Sequence, residues 1–100
     1  MRRRLLLLLV LTLACGAWGV ASAQEIVIGL NAELTGSIPV VGQSSRNAAL
    51  MAVDEVNAAG GLLVGGTRRP VRLIIEDNQD NPAIAAAVAQ KLIYQDRVVA

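Results

Sequence analysis

The chain has 100 residues, of which 54% are hydrophobic, and its formal net charge is +1. It contains no histidine and one cysteine, so softer-ligand metal sites and Ser-His or Cys-His nucleophilic centres cannot be assembled from these residues. It also has no basic patch with interleaved aromatic residues, which excludes the electrostatic footprint of a nucleic-acid-binding protein.

Residues 1–23 have the composition of a secretory signal peptide. Arginines at positions 2–4 precede an apolar run over residues 5–21, and Ala21 and Ala23 supply the small residues that a signal peptidase reads. We therefore expect cleavage after Ala23 and a periplasmic location. Removing the three arginines leaves six basic and eight acidic residues, so the positive charge of the whole chain is a targeting feature.

Two other interpretations of this segment are less favoured. A transmembrane anchor needs an uninterrupted apolar span, whereas Thr12, Gly16 and Gly19 break this one. A lipid anchor would use Cys15, but Thr12 stands where lipoprotein signals carry leucine. After cleavage the remaining residues contain no cysteine, so they cannot form disulfides among themselves.

A long loop is predicted between the first strand and the first helix. Residues 26–30 are apolar throughout, as expected of a central strand covered on both faces. A loop over residues 31–42 leads to a helix over residues 44–59, which the pair Gly60-Gly61 ends. Asn57 is predicted to face solvent. The buried face of the helix is predicted at positions with i, i+3, i+4, i+7 spacing: Ala49, Ala52, Val53 and Val56.

A hairpin and a second strand follow the first helix. Gly65-Gly66 predicts a tight turn between residues 62–64 and 68–71. Residues 71–75 form the second strand, and Arg72 within its apolar run favours a position at the edge of the sheet.

The second helix has clear boundary residues. Asn81 is predicted as its N-cap and Pro82 as its first residue, and the helix runs to about residue 96. Residues 98–100 are predicted to start a third strand. The buried stripe of the helix is predicted at four positions: Ala85, Val88, Ala89 and Leu92.

This alternation of strands and helices predicts an α/β fold with a doubly wound parallel sheet. Crossovers of this kind are right-handed and place helices on both faces of the sheet. With the second strand at the edge, the strand order is 2-1-3. Three strands leave one side of the sheet without a partner, so we expect residues 24–100 to be an incomplete part of a larger lobe.

Acidic residues collect at the carboxyl end of the second strand. Glu76, Asp77 and Asp80 could hold a cation, since open α/β sheets bind ligands at such strand ends. The alternative, which we favour, is turn chemistry in which Asx side chains accept hydrogen bonds from nearby backbone N–H groups. The glycines after the first strand match neither a dinucleotide fingerprint nor a Walker loop. We therefore predict no metal and no cofactor.

The loop after the first strand is the stronger candidate for a binding site. It leads from the carboxyl end of a central strand to a helix N-terminus, where unpaired N–H groups attract polar ligand ends. Ser37, Ile38, Pro39, Val40 and Val41 mix one hydroxyl with apolar surface, which suits a small amphiphilic organic ligand. Of these, Ser37, Ile38 and Val41 are the predicted ligand-binding residues. A purely structural connection remains the alternative.

Three motifs in this order resemble the branched-chain amino acid binding proteins of ABC importers. They are Leu34-Thr35-Gly36 with Gly42 following, the helix end from Asn57 to Gly61, and the acidic turn that ends in Asn81-Pro82. The resemblance covers about residues 25–100. It implies a type I periplasmic binding protein with two α/β lobes and a ligand held in the cleft between them, without chemistry on the ligand.

The resemblance also implies what differs in this chain. Relatives with branched-chain ligands often carry an aromatic residue at the position of Val41, so the smaller side chain weakens an assignment to leucine, isoleucine or valine. The polar ligand anchors of the family are expected after Ala100. Many relatives have Asp at the position of Asn81, and some have a disulfide cysteine at that of Asp80.

The sequence therefore predicts an extracytoplasmic solute-binding protein rather than an enzyme. Its expected partners are an amino acid or a related small organic acid or amide, and the membrane permease of an ABC importer. Two alternatives remain at this point: the ligand-sensing ectodomain of a receptor with the same fold, and an exported α/β enzyme.

Overall fold

The computed structural model describes residues 24–100, so the predicted signal peptide and Cys15 lie outside the described residues. The elements in chain order are β1 (Ile26–Ala32), α1 (Pro39–Ala58), β2 (Leu62–Val64), β3 (Thr67–Arg69), β4 (Val71–Asp77) and α2 (Pro82–Gln90). After α2 the chain continues as a single π-helical turn, Lys91–Gln95.

Strands β1 and β4 form a parallel pair, which confirms the predicted sheet type. Their register runs from Ile26 opposite Val71 to Ala32 opposite Asp77. Each strand is two residues longer than predicted, because polar residues such as Asn31 remain in the ladder. The paired ends place the loops that follow both strands at one edge of the sheet, here called the carboxyl edge.

The chain end pairs with the other side of β1. The N–H of Val99 donates to the Val27 carbonyl at 2.9 Å, and the N–H of Gly29 donates to the Ala100 carbonyl at 2.8 Å. Ile26 bonds instead to Pro70, on the side of β4, because alternate residues of a strand present their backbone groups to opposite edges. The predicted order 2-1-3 is thus confirmed in part, since residues 98–100 do not form a regular strand.

The two helices cover opposite faces of the sheet. On one face, Ile28 of β1 and Val53 of α1 line the same apolar hollow. On the other face, Leu92 lies 3.0 Å from the position that a Cβ on Gly29 would occupy. Residues 28 and 29 point to opposite faces. The predicted stripe of the second helix is confirmed, since Val88 of α2 and Leu92 of the following π-helical turn are buried and Ala85 and Ala89 are half-buried.

One predicted core position of α1 is wrong. Val53 and Val56 are half-buried as expected, but Ala52 is exposed. Its short side chain lies at the rim of an apolar hollow of about 200 Å³ instead of filling it. The residues that line the hollow are Ile28, Ala52, Val53, Val56, Leu62 and Val71.

Helix α1 begins earlier than predicted, at Pro39 instead of Ser44. Proline is favoured at the first helical position because its fixed φ suits the helix and its missing N–H would have no partner there. The hydroxyls of Ser44 and Ser45 donate to the carbonyls four residues back, at 2.8 and 3.1 Å, so these serines fit within the helix. The loop after β1 is therefore only residues 33–38.

The predicted end of α1 is confirmed. Gly60 and Gly61 have φ of 97° and 101°, which L side chains rarely adopt. The N–H of Gly61 donates to the Val56 carbonyl at 2.9 Å, and that of Gly60 to Asn57 at 3.0 Å. These two bonds form a Schellman motif, which pairs carbonyls that the helix leaves free.

Asn57 is exposed and lies off the buried face of α1, as predicted, but its side chain has a partner that the sequence did not indicate. Its side-chain amide donates to the Val71 carbonyl and accepts from the Val71 N–H, both at 2.8 Å. The pairing arises because the crossover returns the chain to the start of β4 beside the end of α1. Asn57 thus replaces a neighbouring strand at the first residue of β4.

Within residues 24–100, no helix combines the length and apolarity needed to cross a membrane.

We expect Asn57→Ala to destabilise the protein by about 1–3 kcal/mol, because two backbone groups of Val71 lose their partner. Asn47→Ala is the matched control, since Asn47 is exposed on the same helix. Urea unfolding of the exported protein measures both. Equal midpoints for the two variants would show that the Asn57 amide contributes nothing.

Candidate functional site

One carboxylate joins the two loops at the carboxyl edge. Oδ1 of Asp77 accepts the N–H groups of Leu34 at 3.0 Å and Thr35 at 3.2 Å, and Oδ2 accepts the Thr35 hydroxyl at 2.6 Å. Oδ1 also accepts the N–H of Gln79 at 2.9 Å. We call this set of hydrogen bonds the Asp77 clamp. It fixes the loop after β1 to the loop after β4.

The clamp favours the ionised form of Asp77. The Thr35 hydroxyl, and after it the Gln79 N–H, lower the pKa of this carboxyl below its ordinary value of 3.8, because both donate to the charged form. Partial desolvation opposes the shift but is smaller. Asp77 is therefore a carboxylate at neutral pH.

Two side-chain amides, those of Asn31 and Asn78, connect the loop after β4 to the neighbouring elements. The Asn31 amide donates to the Ala85 carbonyl at 2.9 Å, and the Asn78 amide donates to the Asn31 side-chain oxygen at 3.0 Å. The Asn78 side-chain oxygen accepts the N–H of Asp80 at 2.9 Å. Asn78 is 5% exposed, so these bonds supply the partners that a buried amide needs. They attach the loop to β1 and α2.

Two glycines allow the loop after β1 to pack this closely. Gly36 has a φ of 98°, and a Cβ there would lie 2.4 Å from the Gln79 carbonyl oxygen. A Cβ on Gly42, in the first turn of α1, would lie 1.9 Å from the Glu33 carbonyl oxygen. Neither position has room for a side chain, so glycine sets both the path of the loop and the place where α1 starts.

The structure brings Ser37, Ile38 and Val41 together at the start of α1. Ser37 is exposed, Ile38 is 44% exposed and precedes the helix, and Val41 is 54% exposed. Val41 lies in the first helical turn, so its predicted place in the loop is wrong. The cause is the early helix start at Pro39.

The start of α1 has no side-chain cap. Ile38 occupies the N-cap position, and its apolar side chain accepts no hydrogen bond. Pro39 has no N–H, and the Val41 N–H donates to the Ile38 carbonyl at 3.1 Å. Among the first three helical residues, Val40 therefore has the N–H without an acceptor. Val40 is 77% exposed. The result is an exposed surface that combines the N–H of Val40 with apolar side chains.

Two of the three acidic residues predicted at this edge, Glu76 and Asp77, have structural partners for their carboxylates. Glu76 pairs with Lys91, which also donates to Asp96 at 2.8 Å. The carboxylates of Asp96 and Glu76 raise the pKa of Lys91. Asp77 and Asn78 accept N–H groups two residues further on, as the predicted turn chemistry requires.

The chain is similar in sequence to known binding proteins. A sequence profile described as periplasmic binding protein matches residues 25–100. An amino acid binding protein of Pseudomonas aeruginosa is 33% identical over 76 residues, which are 76% of this chain and 19% of that protein. A Leu/Ile/Val-binding protein of Rhizobium johnstonii is 36% identical over 69 residues, which are 69% of this chain and 18% of that protein.

Solved structures agree with these sequence matches. The substrate-binding protein of a branched-chain amino acid transporter from Streptococcus pneumoniae, in complex with isoleucine, has a TM-score of 0.68 and 37% identity. The match covers 75% of this chain and 20% of that one. A branched-chain amino acid ABC transporter protein from Silicibacter pomeroyi has a TM-score of 0.67 and 37% identity, over 75% of this chain and 18% of that one. The chain thus spans about a fifth of the length of its relatives.

We expect Asp77→Asn to lower the stability of the protein at neutral pH and to remove part of the decrease in stability that occurs at acidic pH. The folded-state pKa of Asp77 lies below 3.8, so the contribution of the carboxylate is complete above that value. It is lost as the pH falls through the folded-state pKa. The difference in urea midpoint between parent and variant should therefore shrink below pH 3.8.

Asp54→Asn is the control for the loss of one charge, because Asp54 is exposed on α1. Its difference from the parent should stay small at every pH. A parent-to-Asp77→Asn difference that does not change with pH would contradict the clamp as a charge-dependent contact.

Proposed function

Because the chain belongs to the periplasmic binding protein family, we propose that residues 24–100 are the N-terminal portion of lobe 1 of a solute-binding protein for an ABC importer. Its ligand is an amino acid or a related small carboxylate or amide, held between two lobes that close by hinge motion. The protein carries the ligand to the membrane permease without changing it. No cofactor takes part.

The observation that carries this proposal is the Asp77 clamp. It holds residues 33–38 beside the uncapped start of α1, at the edge where open α/β sheets bind ligands. The N–H of Val40 there suits a carboxylate or a carbonyl oxygen. Ile38 and Val41 supply apolar surface next to that donor, and Ser37 supplies a hydroxyl.

The relatives favour an amino acid as the first ligand to test. One of them is a Leu/Ile/Val-binding protein, and one solved structure contains isoleucine. At Val41 the wall of the proposed site is smaller than an aromatic side chain would make it. The pocket then differs in shape from that of a relative with an aromatic residue at this position. A ligand whose side chain differs from that of leucine, isoleucine or valine is therefore compatible with the same polar contacts.

The alternatives from the sequence are not favoured. The named relatives are binding proteins or transporter proteins, which supports neither the receptor ectodomain nor the exported enzyme. A carrier should return its ligand unchanged after prolonged incubation, whereas the enzyme would convert it.

The family acts outside the cytoplasm, and we propose export by a signal peptide that is cleaved after Ala23. The intact mass of the exported protein should correspond to a chain that begins at Gln24. A mass that retains Cys15 with attached acyl chains would show that the protein is a lipoprotein instead.

We expect Val41→Tyr to weaken isoleucine binding by about 1–3 kcal/mol, which is about fivefold to more than a hundredfold, because the ring fills space that the ligand uses. Val41→Ala removes little contact area and should cost about 1 kcal/mol or less. Both variants should melt near the parent temperature without ligand, since Val41 is exposed. Calorimetry of the exported protein measures the affinities.

Val64→Tyr is the matched control for this experiment. Val64 is 40% exposed on the hairpin, which lies at the opposite end of the sheet from the proposed site. Its variant should bind isoleucine as the parent does. If Val41→Tyr also binds as tightly as the parent, the loop is a structural connection and the ligand lies elsewhere.

A further inference from the structure

Two arginines hold the residues that follow the proposed cleavage point. Nε of Arg69 donates to the Gln24 carbonyl oxygen at 2.8 Å, and Nη2 of Arg69 donates to the Glu25 carbonyl oxygen at 3.4 Å. Nε of Arg72 pairs with the Glu25 carboxylate at 3.0 Å. Gln24 and Glu25 are therefore placed against β3 and β4 although both are exposed.

The contact with Gln24 leaves its reactive groups free. Arg69 binds the backbone carbonyl of Gln24, and among residues 24–100 the Gln24 side-chain amide makes no hydrogen bond. After cleavage behind Ala23, residue 24 also carries a free α-amine. The amine nitrogen and the side-chain amide carbon of one glutamine are separated by the correct number of bonds to close a five-membered lactam. The bound carbonyl stays outside that ring, so the contact with Arg69 can persist.

The charge of Arg69 favours the reactive form of the amine. Its guanidinium bonds to the carbonyl of the same residue, so an α-ammonium group on Gln24 would lie close to a second positive charge. Repulsion between the two favours the neutral amine, which is the nucleophile. The carboxylate of the adjacent residue, Glu25, is paired with Arg72.

We propose that Gln24 of the processed protein cyclises to pyroglutamate. The α-amine nitrogen attacks the side-chain Cδ, a new C–N bond forms, and the bond from Cδ to the amide nitrogen breaks. The leaving nitrogen takes a proton from the amine and departs as ammonia, so no oxidant, reductant or co-reactant is needed. The inference rests on the proposed cleavage after Ala23 and not on the identity of the ligand.

The test follows the N-terminal peptide of the exported protein by mass spectrometry during incubation at neutral pH. The parent should lose one ammonia from Gln24 and become resistant to N-terminal sequencing. Gln24→Asn is the matched control, because a side chain shorter by one methylene group cannot close the five-membered ring. Its peptide should keep a free amine.

The contribution of Arg69 is measured as a rate. Arg69→Gln should slow the loss of ammonia, because the neutral amine is no longer favoured. Arg46→Gln, which removes the same charge from the exposed face of α1, should cyclise at the parent rate. Equal rates for all three proteins would overturn the assigned effect of Arg69.

Two results would overturn the modification itself. One is a parent peptide that begins at Gln24 and keeps its free amine after prolonged incubation. The other is an N-terminus at a different residue, which would also contradict the cleavage site. Either result is separate from the proposed function, because isoleucine binding is measured independently on the same protein.

Discussion

The Asp77 carboxylate links the two loops on which the proposed binding surface depends. Its position follows from the strand register, since Asp77 lies opposite Ala32 at the end of the parallel pair. From there it reaches the N–H groups of Leu34 and Thr35 and the Thr35 hydroxyl. Because an ionised acceptor strengthens such hydrogen bonds, the loop after β1 has one preferred path. The start of α1 then lies where that path ends.

The two ends of the sheet use polar groups for different purposes. At the carboxyl edge, the Asp77 clamp and the buried Asn78 amide shape loops but leave the start of α1 open. At the other end, Asn57 pairs fully with the backbone of Val71, and Arg69 holds the residues before β1. Polar pairing there fixes the start of β4 and the residues before β1, whereas the carboxyl edge keeps the N–H of Val40 beside apolar side chains.

Local signals made much of this architecture predictable. The N-cap Asn81 accepts the N–H groups of Ala83 and Ile84, as its place before Pro82 indicated. The strand pattern and the glycines that end α1 were equally informative, since each reflects a backbone requirement confined to a few residues. The predicted start of α1 was too late, because Pro39 lay within the predicted loop although proline is favoured in the first turn of a helix.

Contacts between distant residues could not be predicted in the same way. The bonds between Asn57 and Val71 span 14 residues, and those between Asp77 and Thr35 span 42. Helical periodicity placed Asn57 correctly on the polar side of α1, but it holds no information about the strand that returns there. For the binding surface, the sequence indicated the residue types, and only the fold showed which of them lie together.

The most direct test of the proposed site is amide hydrogen exchange of the exported protein with and without isoleucine, resolved over residues 33–42. If the surface at the start of α1 contacts the ligand, exchange in this segment should slow on binding, while exchange in the hairpin, Leu62–Arg69, should not change. Saturable isoleucine binding that leaves residues 33–42 unprotected would contradict the account, because the ligand would then be held elsewhere.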